Sequence, residues 1–583
     1  MSTITQTDVL IVGAGVTGLT AAALLARQGI PAISISKYSG TANAPRAHIT
    51  NQRTLEVLRD LGMEDQAYQN GQLMSEVPDN VWVTSLAGRE LARRRTWGTR
   101  ADRKGDYEAA SPCSMVNIGQ HLLEPIIHRR AVALGADVRF LNELVEIAED
   151  TSGVTATVRY RPTGDCYQIR AKYVVGADGG RSTVAEQLGF QFDGETNLGY
   201  ALNAWFEADL SKFVSHRPGT LYWTNHPGRD DFFGSGSLLL VRRWNEWVIQ
   251  FSYDPETDNL DASEEAILPR IRWAIGDDTI PVQIKAMTKW QINHVVAQKY
   301  RIGRALLAGD AAHRHPPANG LGSNTSIQDA YNLAWKLAAV LRGKADPTLL
   351  DTYNDERQPV GRQVIDRAIE SVGLVAGIPR AMGIEAGQDE QQGWAALELL
   401  SSPTAEGEAR RQELDRQLQL FDYGVNCHGV EMGQRYQTGA LVDDGTPWPP
   451  SEREPQLFYQ PTTHPGASLP HVWLVQNGRR VSSLDVVPED SWALITGVGG
   501  DSWCQAAKQI ADELDIEIVS CTIGPGLDYA DPYGDWAKNR EITERGCLLV
   551  RPDRHIAWRK ADGSTEPVTE LRDALHSILH PST

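Results

Sequence analysis

D-V-L-I-V-G-A-G-V-T-G, residues 8–18, joins a short apolar run to the glycine pattern G-x-G-x-x-G. The apolar run is typical of a parallel strand with both faces covered. A segment rich in Ala and Leu follows and ends at Gly29, which suits a helix C-terminus, and Pro31 then leads into a second apolar run at residues 32–36. This order predicts a βαβ unit whose glycines let a dinucleotide approach the backbone.

Each glycine of this turn has its own steric task. We expect the first to permit the tight turn, the second to let a diphosphate approach the backbone, and the third to pack the helix closely on the strand. Amides at the start of the helix then face the diphosphate. The predicted contact residues of the turn are Gly13, Gly15, Val16, Thr17 and Gly18. Glycines in a plain loop are the alternative, which the flanking strand and helix patterns disfavour.

The ribose end of the site departs from the usual pattern. An acidic residue about 20 positions after the glycines commonly binds the ribose hydroxyls, but this sequence has Ser36 and Lys37 there. A serine hydroxyl hydrogen-bonds a ribose more weakly than a carboxylate does. We therefore predict dinucleotide contacts at Ser36 and Lys37, with the ribose contact weakened.

Two further turns carry an aspartate at the end of an apolar run. Residues 173–182 place Asp178 after one run, and residues 305–313 place Asp310 after the other. A single Gly-Asp pair is most simply a turn. Open α/β sheets bind ligands at the carboxyl ends of their strands, however, so two such turns beside a glycine fingerprint predict ligand contacts at both aspartates.

Length and charge narrow the class of protein. The chain has 583 residues, which exceeds one compact core and predicts two or three domains. Hydrophobic residues make up 41% and charged residues 22%, as in a soluble globular protein. The formal net charge of −19 disfavours binding to nucleic acids and to anionic membrane surfaces.

The uncharged run at residues 9–26 is long enough to suggest a membrane span or a signal peptide. No basic segment precedes it, Asp8 stands at its start and glycines interrupt it, so a buried strand followed by a buried helix is the better interpretation. The six cysteines form no C-x-x-C pair, which disfavours a disulfide framework, a zinc ribbon or a dithiol redox centre. We predict a cytoplasmic protein with reduced cysteines.

The motifs together resemble the FAD-dependent aromatic hydroxylases, the single-component flavoprotein monooxygenases, in their phenol and dichlorophenol monooxygenase branch. The resemblance begins at the glycine fingerprint and extends nearly to the C-terminus. It is carried by PRAHITNQRTLE at 45–56, GADGGRS at 176–182, GDAAHRHPPANGLGSN at 309–324 and LDTYNDER at 350–357.

This resemblance implies FAD as cofactor, NADH or NADPH as co-substrate and a flavin C4a-hydroperoxide as oxygen donor. It places Asp310 on the flavin ribitol, and Arg46 and Gln120 at the diphosphate and ribityl region. Asp178 belongs to a family motif associated with both FAD and the nicotinamide nucleotide. That motif normally carries Arg three residues after its Ser, where this chain has Ala185.

A loop and a helix follow Asp310. The loop contains prolines that stiffen it and glycines that let backbone approach a flat ligand. Apolar residues at helical spacing come next, and the positive end of that helix suits the negative charge of reduced flavin. The cofactor contacts predicted in this stretch are Pro317, Gly320, Gly322, Ser323 and Asn324.

A phenolic substrate needs a group that accepts its proton, because the phenolate is the better nucleophile. The resemblance places His48 near the substrate hydroxyl, although a lone histidine is more often structural. The predicted pocket residues are His48, Tyr222, Trp223, Arg242 and Pro317.

The predicted architecture is α/β, with a Rossmann-like FAD-binding domain at 1–188 and 291–375 interleaved with an antiparallel-sheet substrate domain at 189–290. Residues 75–110 are expected to join the substrate domain, and residues 201–210 and 241–251 to form strands in it. Connecting helices at 376–428 lead to a thioredoxin-like C-terminal domain at 429–583 that lacks C-x-x-C.

The predicted function is hydroxylation of a phenol or a hydroxylated heteroaromatic ring, ortho to its hydroxyl, with NAD(P)H and O2. Two alternatives stay open at this point: a flavin-dependent dehydrogenase or reductase that inserts no oxygen, and a non-catalytic FAD-binding assembly protein. The expected partners are the small-molecule substrate and O2, in a homo-oligomer that binds no metal, nucleic acid or membrane. The sequence leaves the particular ring and the choice between NADH and NADPH open.

Overall fold

A computed structural model describes residues 4–228, 236–255, 263–385 and 387–581. Its strands are β1 Ile4–Val12, β2 Ala32–Ser36, β3 Ile49–Thr50, β4 Gln72–Leu73, β5 Asp79–Val83, β6 Glu90–Arg95, β7 Val116–Asn117, β8 Asp137–Phe140, β9 Asn142–Asp150, β10 Gly153–Tyr160, β11 Cys166–Gly176, β12 Phe192–Glu207, β13 Gly219–Thr224, β14 Ser237–Arg242, β15 Glu246–Tyr253, β16 Gln283–Ala297, β17 Arg301–Ile302, β18 Ala305–Leu307, β19 His313–Arg314, β20 Trp473–Gln476, β21 Arg479–Ser482, β22 Trp492–Thr496, β23 Ile518–Thr522, β24 Cys547–Val550 and β25 Ile556–Lys560.

The helices are α1 Val16–Arg27, α2 Gln52–Asp60, α3 Glu64–Asn70, α4 Ala101–Ala110, α5 Gln120–Ala133, α6 Thr183–Gln187, α7 Ser211–Val214, α8 Glu264–Ile275, α9 Gly322–Leu341, α10 Asp351–Met382, α11 Glu390–Leu400, α12 Ala405–Leu420, α13 Asp422–Val425, α14 His428–Met432, α15 Asp501–Leu514, α16 Asp535–Asn539 and α17 Pro567–Leu579. None of the helices in the described ranges is long and apolar enough to cross a membrane.

The first sheet has the order β17-β18-β11-β1-β2-β8, and its central strands run parallel. The apolar run Val9–Val12 at the end of β1 is buried because helices cover the sheet, and α1 packs against both α5 and α9. The predicted order of strand, glycine turn, helix and strand is confirmed. Register pairs Val12 with Gly176 and Gly176 with Leu307, so the ends of β1, β11 and β18 meet at one edge.

The second sheet, called the roof sheet here, has the order β19-β16-β12-β15-β14-β13-β5-β6 and is antiparallel except where β13 pairs with β5. One face packs against α8, with Leu202, Phe206 and Ile249 buried beside Ile267 and Ile271. The opposite face looks toward the ligand edge of the parallel sheet. Residues that face α8 therefore alternate along each strand with residues that face the other side, and this alternation is the pattern from which the antiparallel domain was predicted.

One strand prediction was wrong. Residues 241–251 form a hairpin, in which β14 ends at Arg242 and β15 begins at Glu246. The apolar alternation continues through both strands, so it gave no signal of the reversal between them. Residues 201–210 lie mostly in β12, which ends at Glu207.

The C-terminal sheet has the order β23-β22-β24-β25, with β22 and β23 parallel and the other pairs antiparallel. Helices α15 and α17 cover one face of this sheet. All six cysteines are free. The domain boundaries stay predictions, and the one proposed at residue 375 falls inside α10.

A buried ionic cluster joins the C-terminal domain to the back of α9. Glu356 on α10 lies 2.7 Å from the ammonium of Lys336 on α9 and 2.7 Å from the guanidinium of Arg551, which also pairs with Asp553 at 2.5 Å. These four side chains are almost fully buried. Buried charges of this kind are tolerated only when they are paired and hydrogen-bonded, so the cluster ties three distant chain segments together.

Candidate functional site

A cavity of about 1330 Å³ lies between the ligand edge of the parallel sheet and the roof sheet. Most of the residues predicted to bind cofactor line it. They are Gly13, Gly15, Val16, Thr17, Ser36, Lys37, Arg46, Gln120, Asp178, Asp310, Pro317, Gly320, Gly322 and Ser323. Two predicted contacts, Gly18 and Asn324, lie outside the lining.

The fingerprint glycines divide into two structural ones and one that faces the cavity. A Cβ on Gly13, whose φ is +113°, would lie 2.1 Å from the carbonyl oxygen of Ala177, and one on Gly18 would lie 1.9 Å from the carbonyl oxygen of Gly13. Both positions therefore exclude a side chain on steric grounds alone. A Cβ on Gly15 would meet nothing closer than an oxygen of Glu124 at 3.6 Å, so this glycine keeps cavity space open beside the start of α1.

Two charged side chains face the cavity without a protein partner. The carboxylate of Asp310 and the guanidinium of Arg46 make no hydrogen bond or ion pair with any described residue, although both line the cavity. Desolvation of its carboxylate by the surrounding protein raises the pKa of Asp310, while electrostatic interactions with His313 and with the Arg46 guanidinium act in the opposite direction. Both side chains are exposed to the open cavity, so a ligand that enters it can pair with both charges.

The turn that carries Asp310 is fixed from behind by the buried carboxylate of Asp329 on α9. Asp329 accepts hydrogen bonds from the Gly309 amide at 3.0 Å, from His313 Nε2 at 2.9 Å and from Arg357 Nε at 2.8 Å. Its pKa is lowered by Arg357 and His313 against the opposing effect of burial. The sequence analysis missed this support, which depends on contacts across 16 to 28 residues.

Asp178 also lies in the cavity wall, but its oxygens are already occupied. It accepts hydrogen bonds from the Ser182 hydroxyl at 2.5 Å and from the amide of Thr183 at 2.7 Å, at the start of α6. Its backbone and the glycines that follow it therefore face the cavity, while its side chain holds the turn. Ala185, where the family motif has Arg, is buried.

A carboxylate that the sequence analysis missed borders the start of α1. Glu124 accepts hydrogen bonds from the amide of Ala42 and from the side chain of Gln120, both at 2.5 Å. Burial raises the pKa of Glu124, while those two hydrogen bonds act against the shift. Glu124 thereby fixes the Gln120 amide at the cavity wall.

The loop after Asp310 brings the amino end of α9 to the cavity. Gly320 and Asn319 both have positive φ, and a Cβ on Gly320 would lie 2.8 Å from Ile49. No side chain caps the helix, so its first amides remain free. Asn324 instead has a structural role, because it accepts from the Asn51 amide and donates to the carbonyls of Ile49 and Gly320.

His48 lines the cavity, and Asn117 fixes its tautomer. The Asn117 amide nitrogen donates to the Leu240 carbonyl and to Gln72, so its oxygen is the atom that meets His48 Nδ1 at 2.7 Å. Nδ1 must then carry the proton, which leaves Nε2 as a proton acceptor with no partner among the described residues. Burial lowers the pKa of His48 to about 4, so the ring is neutral near pH 7.

The predicted pocket residues on the roof sheet divide by strand face. Trp223 and Pro317 line the cavity, and Trp223 donates to the Asn80 side chain at 3.0 Å. Tyr222 does not: it points to the other face, packs edge-on against Trp247, and its hydroxyl donates to the Arg217 carbonyl. Neighbouring strand residues point to opposite faces, so only one of Tyr222 and Trp223 could reach the cavity.

Arg242 is a second correction. It lies at the end of β14, largely exposed, 3.4 Å from Glu246, and it does not line the cavity. Roof residues that do line it, and that the sequence analysis missed, are Asn203, Leu221, Leu239, Gln250, Thr288 and Trp290. His315 also lines it, and burial lowers its pKa to about 4.

The residues present fit an FAD molecule. The open backbone at Gly15 and the first amides of α1 suit a diphosphate, as does the unpaired guanidinium of Arg46. The unpaired carboxylate of Asp310 suits ribityl hydroxyls, and the free amides of α9 suit the negative charge of a reduced flavin ring.

Comparisons with known proteins give the same cofactor and a reaction class. Residues 6–368 match the FAD binding domain family and residues 462–582 match the aromatic-ring hydroxylase C-terminal family. The 2,4-dichlorophenol 6-monooxygenase of Delftia acidovorans is 45% identical over 579 residues, covering 99% of both chains. The phenol 2-monooxygenase of Pseudomonas sp. (strain EST1001) is 40% identical over 582 residues, which is 99% of this chain and 94% of that one.

One solved structure resembles this chain over nearly its whole length. The flavin-dependent monooxygenase PieE, determined in complex with FAD and substrate, superimposes with a TM-score of 0.95 at 43% identity and covers 98% of this chain and 99% of its own.

Proposed function

This chain belongs to the FAD-dependent aromatic-ring hydroxylases, and from that premise we propose that it hydroxylates a phenolic ring ortho to its hydroxyl, with His48 as the proton acceptor. FAD is the cofactor, and the relatives support oxygen insertion over the two alternatives, a reductase and an assembly protein. Bound FAD supplies activated oxygen once it has been reduced by a nicotinamide nucleotide and has reacted with O2.

The observation that carries the proposal is the fixed tautomer of His48. With Nδ1 donating to Asn117, Nε2 is the atom available to a hydroxyl group in the cavity. A phenol has a pKa near 10, far above the value of about 4 for His48, so complete proton transfer before reaction is unfavourable. His48 Nε2 therefore accepts a hydrogen bond from the substrate and takes up the proton as the ring attacks oxygen.

The remaining residues hold the reacting groups in place. The free amides at the start of α9 stabilise negative charge at the edge of the cavity nearest His315 and Pro317. Asp329 keeps the adjoining turn, and with it Asp310, in position. Leu221, Trp223, Leu239 and Trp290 provide an apolar wall that excludes water from the ring.

Oxygen insertion is tested with the FAD-loaded protein and a panel of phenols of graded size. We expect consumption of O2 and of NADH or NADPH to be coupled to a product heavier by one oxygen atom. Cofactor oxidation that yields only hydrogen peroxide with every phenol of the panel would contradict the proposed substrate class.

The role of His48 is tested with His48→Ala, and His216→Ala, an exposed histidine, serves as the matched control. We expect His48→Ala to keep its FAD and to lose hydroxylation by about 10²-fold or more, the usual contribution of a general base. The His216→Ala variant should behave as the unmodified protein does. Loss of FAD from His48→Ala, or unchanged coupled turnover, would contradict the assignment.

A further inference from the structure

Two amide side chains lie side by side on the cavity face of the roof sheet. Asn203 on β12 and Gln250 on β15 are directly opposite one another in the strand register, and both line the cavity. Side chains at directly opposed positions of antiparallel strands stand about 5 Å apart at Cβ, close enough to bind one small group together. Neither residue has a role in the steps derived above.

Neighbouring donors occupy the oxygen of each amide. Trp290 Nε1 donates to the Asn203 oxygen at 2.9 Å, and the Ser237 hydroxyl donates to the Gln250 oxygen at 3.3 Å. An indole nitrogen can only donate, so the Asn203 atom that it meets must be the oxygen. The amide orientation at Asn203 is therefore fixed by chemistry.

Both NH2 groups are left over. Neither makes a hydrogen bond to any acceptor in the described ranges, and both belong to residues of the cavity lining. Leu221, Leu239 and Trp223 line the cavity beside the pair and have no side-chain acceptor oxygen, and the hydroxyl of Thr288, which lies opposite Asn203 in the register, is hydrogen-bonded to neither amide in the described ranges. Donors set in an apolar wall lose free energy on desolvation unless the bound ligand brings an acceptor.

We propose that Asn203 and Gln250 form a donor pair that determines substrate specificity by binding an acceptor oxygen of the substrate. The inference rests on the proposed function and deepens it. The substrate class is then a phenolic ring that carries, away from the reacting hydroxyl, a substituent with a carbonyl-type oxygen. A ring with only alkyl or halogen substituents would leave the pair unsatisfied.

The test measures binding, because an acyl group also changes the reactivity of the ring. Matched pairs of phenols are titrated into the FAD-loaded protein and followed by the change in flavin absorbance: 3- and 4-acetylphenol against 3- and 4-isopropylphenol, which have nearly the same shape. At about pH 6 all four are neutral, since phenols ionise several units higher. Phenol itself is assayed for coupled hydroxylation in parallel.

We expect at least one acetylphenol to bind about tenfold more tightly than its isopropyl partner, as one to two hydrogen bonds to buried donors provide. Asn203→Leu and Gln250→Met remove the donors at similar volume, and each should reduce that preference. The double variant should bring it close to unity. Gln283→Met makes the same chemical change at an exposed position of the roof sheet and should keep the full preference.

Equal binding of both members of each pair by the unmodified protein would overturn the inference, as would a preference that survives in the double variant. FAD content and thermal denaturation show that each variant is folded. The proposed function fails separately: if no phenol is hydroxylated while the acetyl preference holds and disappears in the variants, the donor pair stands and the reaction assignment does not.

Discussion

The pH dependence of hydroxylation should be set by the pair of His48 and Asn117. Burial holds the pKa of His48 at about 4, so protonation removes the Nε2 acceptor only below that value. The acid limb of the rate profile should therefore lie well below 6.5, the value of an ordinary histidine. In the unmodified protein, His48 Nδ1 lies 2.7 Å from the side-chain oxygen of Asn117. The substitution Asn117→Asp keeps an acceptor oxygen at this place and adds a negative charge.

The size of the shift follows from the distance. With charge centres about 4 Å apart and an effective dielectric constant of about 20, an imidazolium and a carboxylate attract by about 4 kcal/mol, which equals about 3 pH units. The pKa of His48 then rises from about 4 to about 7. At pH 6 the variant histidine would be protonated about ten to one, so hydroxylation should fall about tenfold, whereas at pH 8 it should be largely retained.

The assay is the coupled formation of hydroxylated product between pH 5 and 9, at saturating phenol and with FAD content measured at each pH. Asn70→Asp introduces the same change on an exposed side chain and should leave the profile unaltered. An unchanged acid limb in Asn117→Asp would refute the hydrogen-bond assignment. An acid limb near 6.5 in the unmodified protein would refute the buried, neutral state of His48.

Three further substitutions give separate expectations. Gly15→Ala should fold normally and lose FAD affinity, measured by flavin titration, because its Cβ has room in the protein but enters the cavity beside α1. Glu356→Gln should destabilise the protein by about 3–5 kcal/mol in urea unfolding, because it leaves Lys336 and Arg551 buried without their shared carboxylate. Burial raises the pKa of Glu431 to about 8, so its contribution to stability is present below 4.5 and is lost as pH rises through about 8. Glu431→Gln should therefore gain Tm relative to the unmodified protein between pH 5 and pH 8, and a constant difference would contradict the shift.

Patterns among residues close together in the sequence made much of the predicted FAD-binding part of the site predictable. The turn from β1 into α1 is contiguous in sequence, and Gly13 and Gly18 are required there because a Cβ on either would lie about 2 Å from a backbone oxygen. Asp310 and Arg46 were assigned from motifs, and the structure places both at the same cavity. Their contacts with FAD stay predictions, as does the homo-oligomer.

Which residues line the substrate pocket depends on the face of the sheet that each strand residue occupies and on how neighbouring strands are aligned. The sequence reveals neither. Tyr222 and Trp223 are adjacent aromatic residues on opposite faces of β13, so Tyr222 packs in the core and Trp223 lines the cavity. The alignment of Asn203 with Gln250 joins residues on strands whose pairing is set by the whole sheet. Asn117 and His48 are 69 residues apart, so no local pattern could indicate that one fixes the tautomer of the other.

The ionic cluster behind α9 limits how this protein can be recombined with its relatives. Glu356 comes from the segment that follows the flavin motifs, whereas Arg551 and Asp553 come from the C-terminal domain. A chimera that exchanges the last domain must bring a compatible cation and carboxylate, because otherwise Glu356 and Lys336 stay buried while Glu356 loses the two hydrogen bonds that Arg551 donates to it. The tail is therefore not a freely interchangeable module, because any replacement has to place a cation and a carboxylate where Arg551 and Asp553 stand.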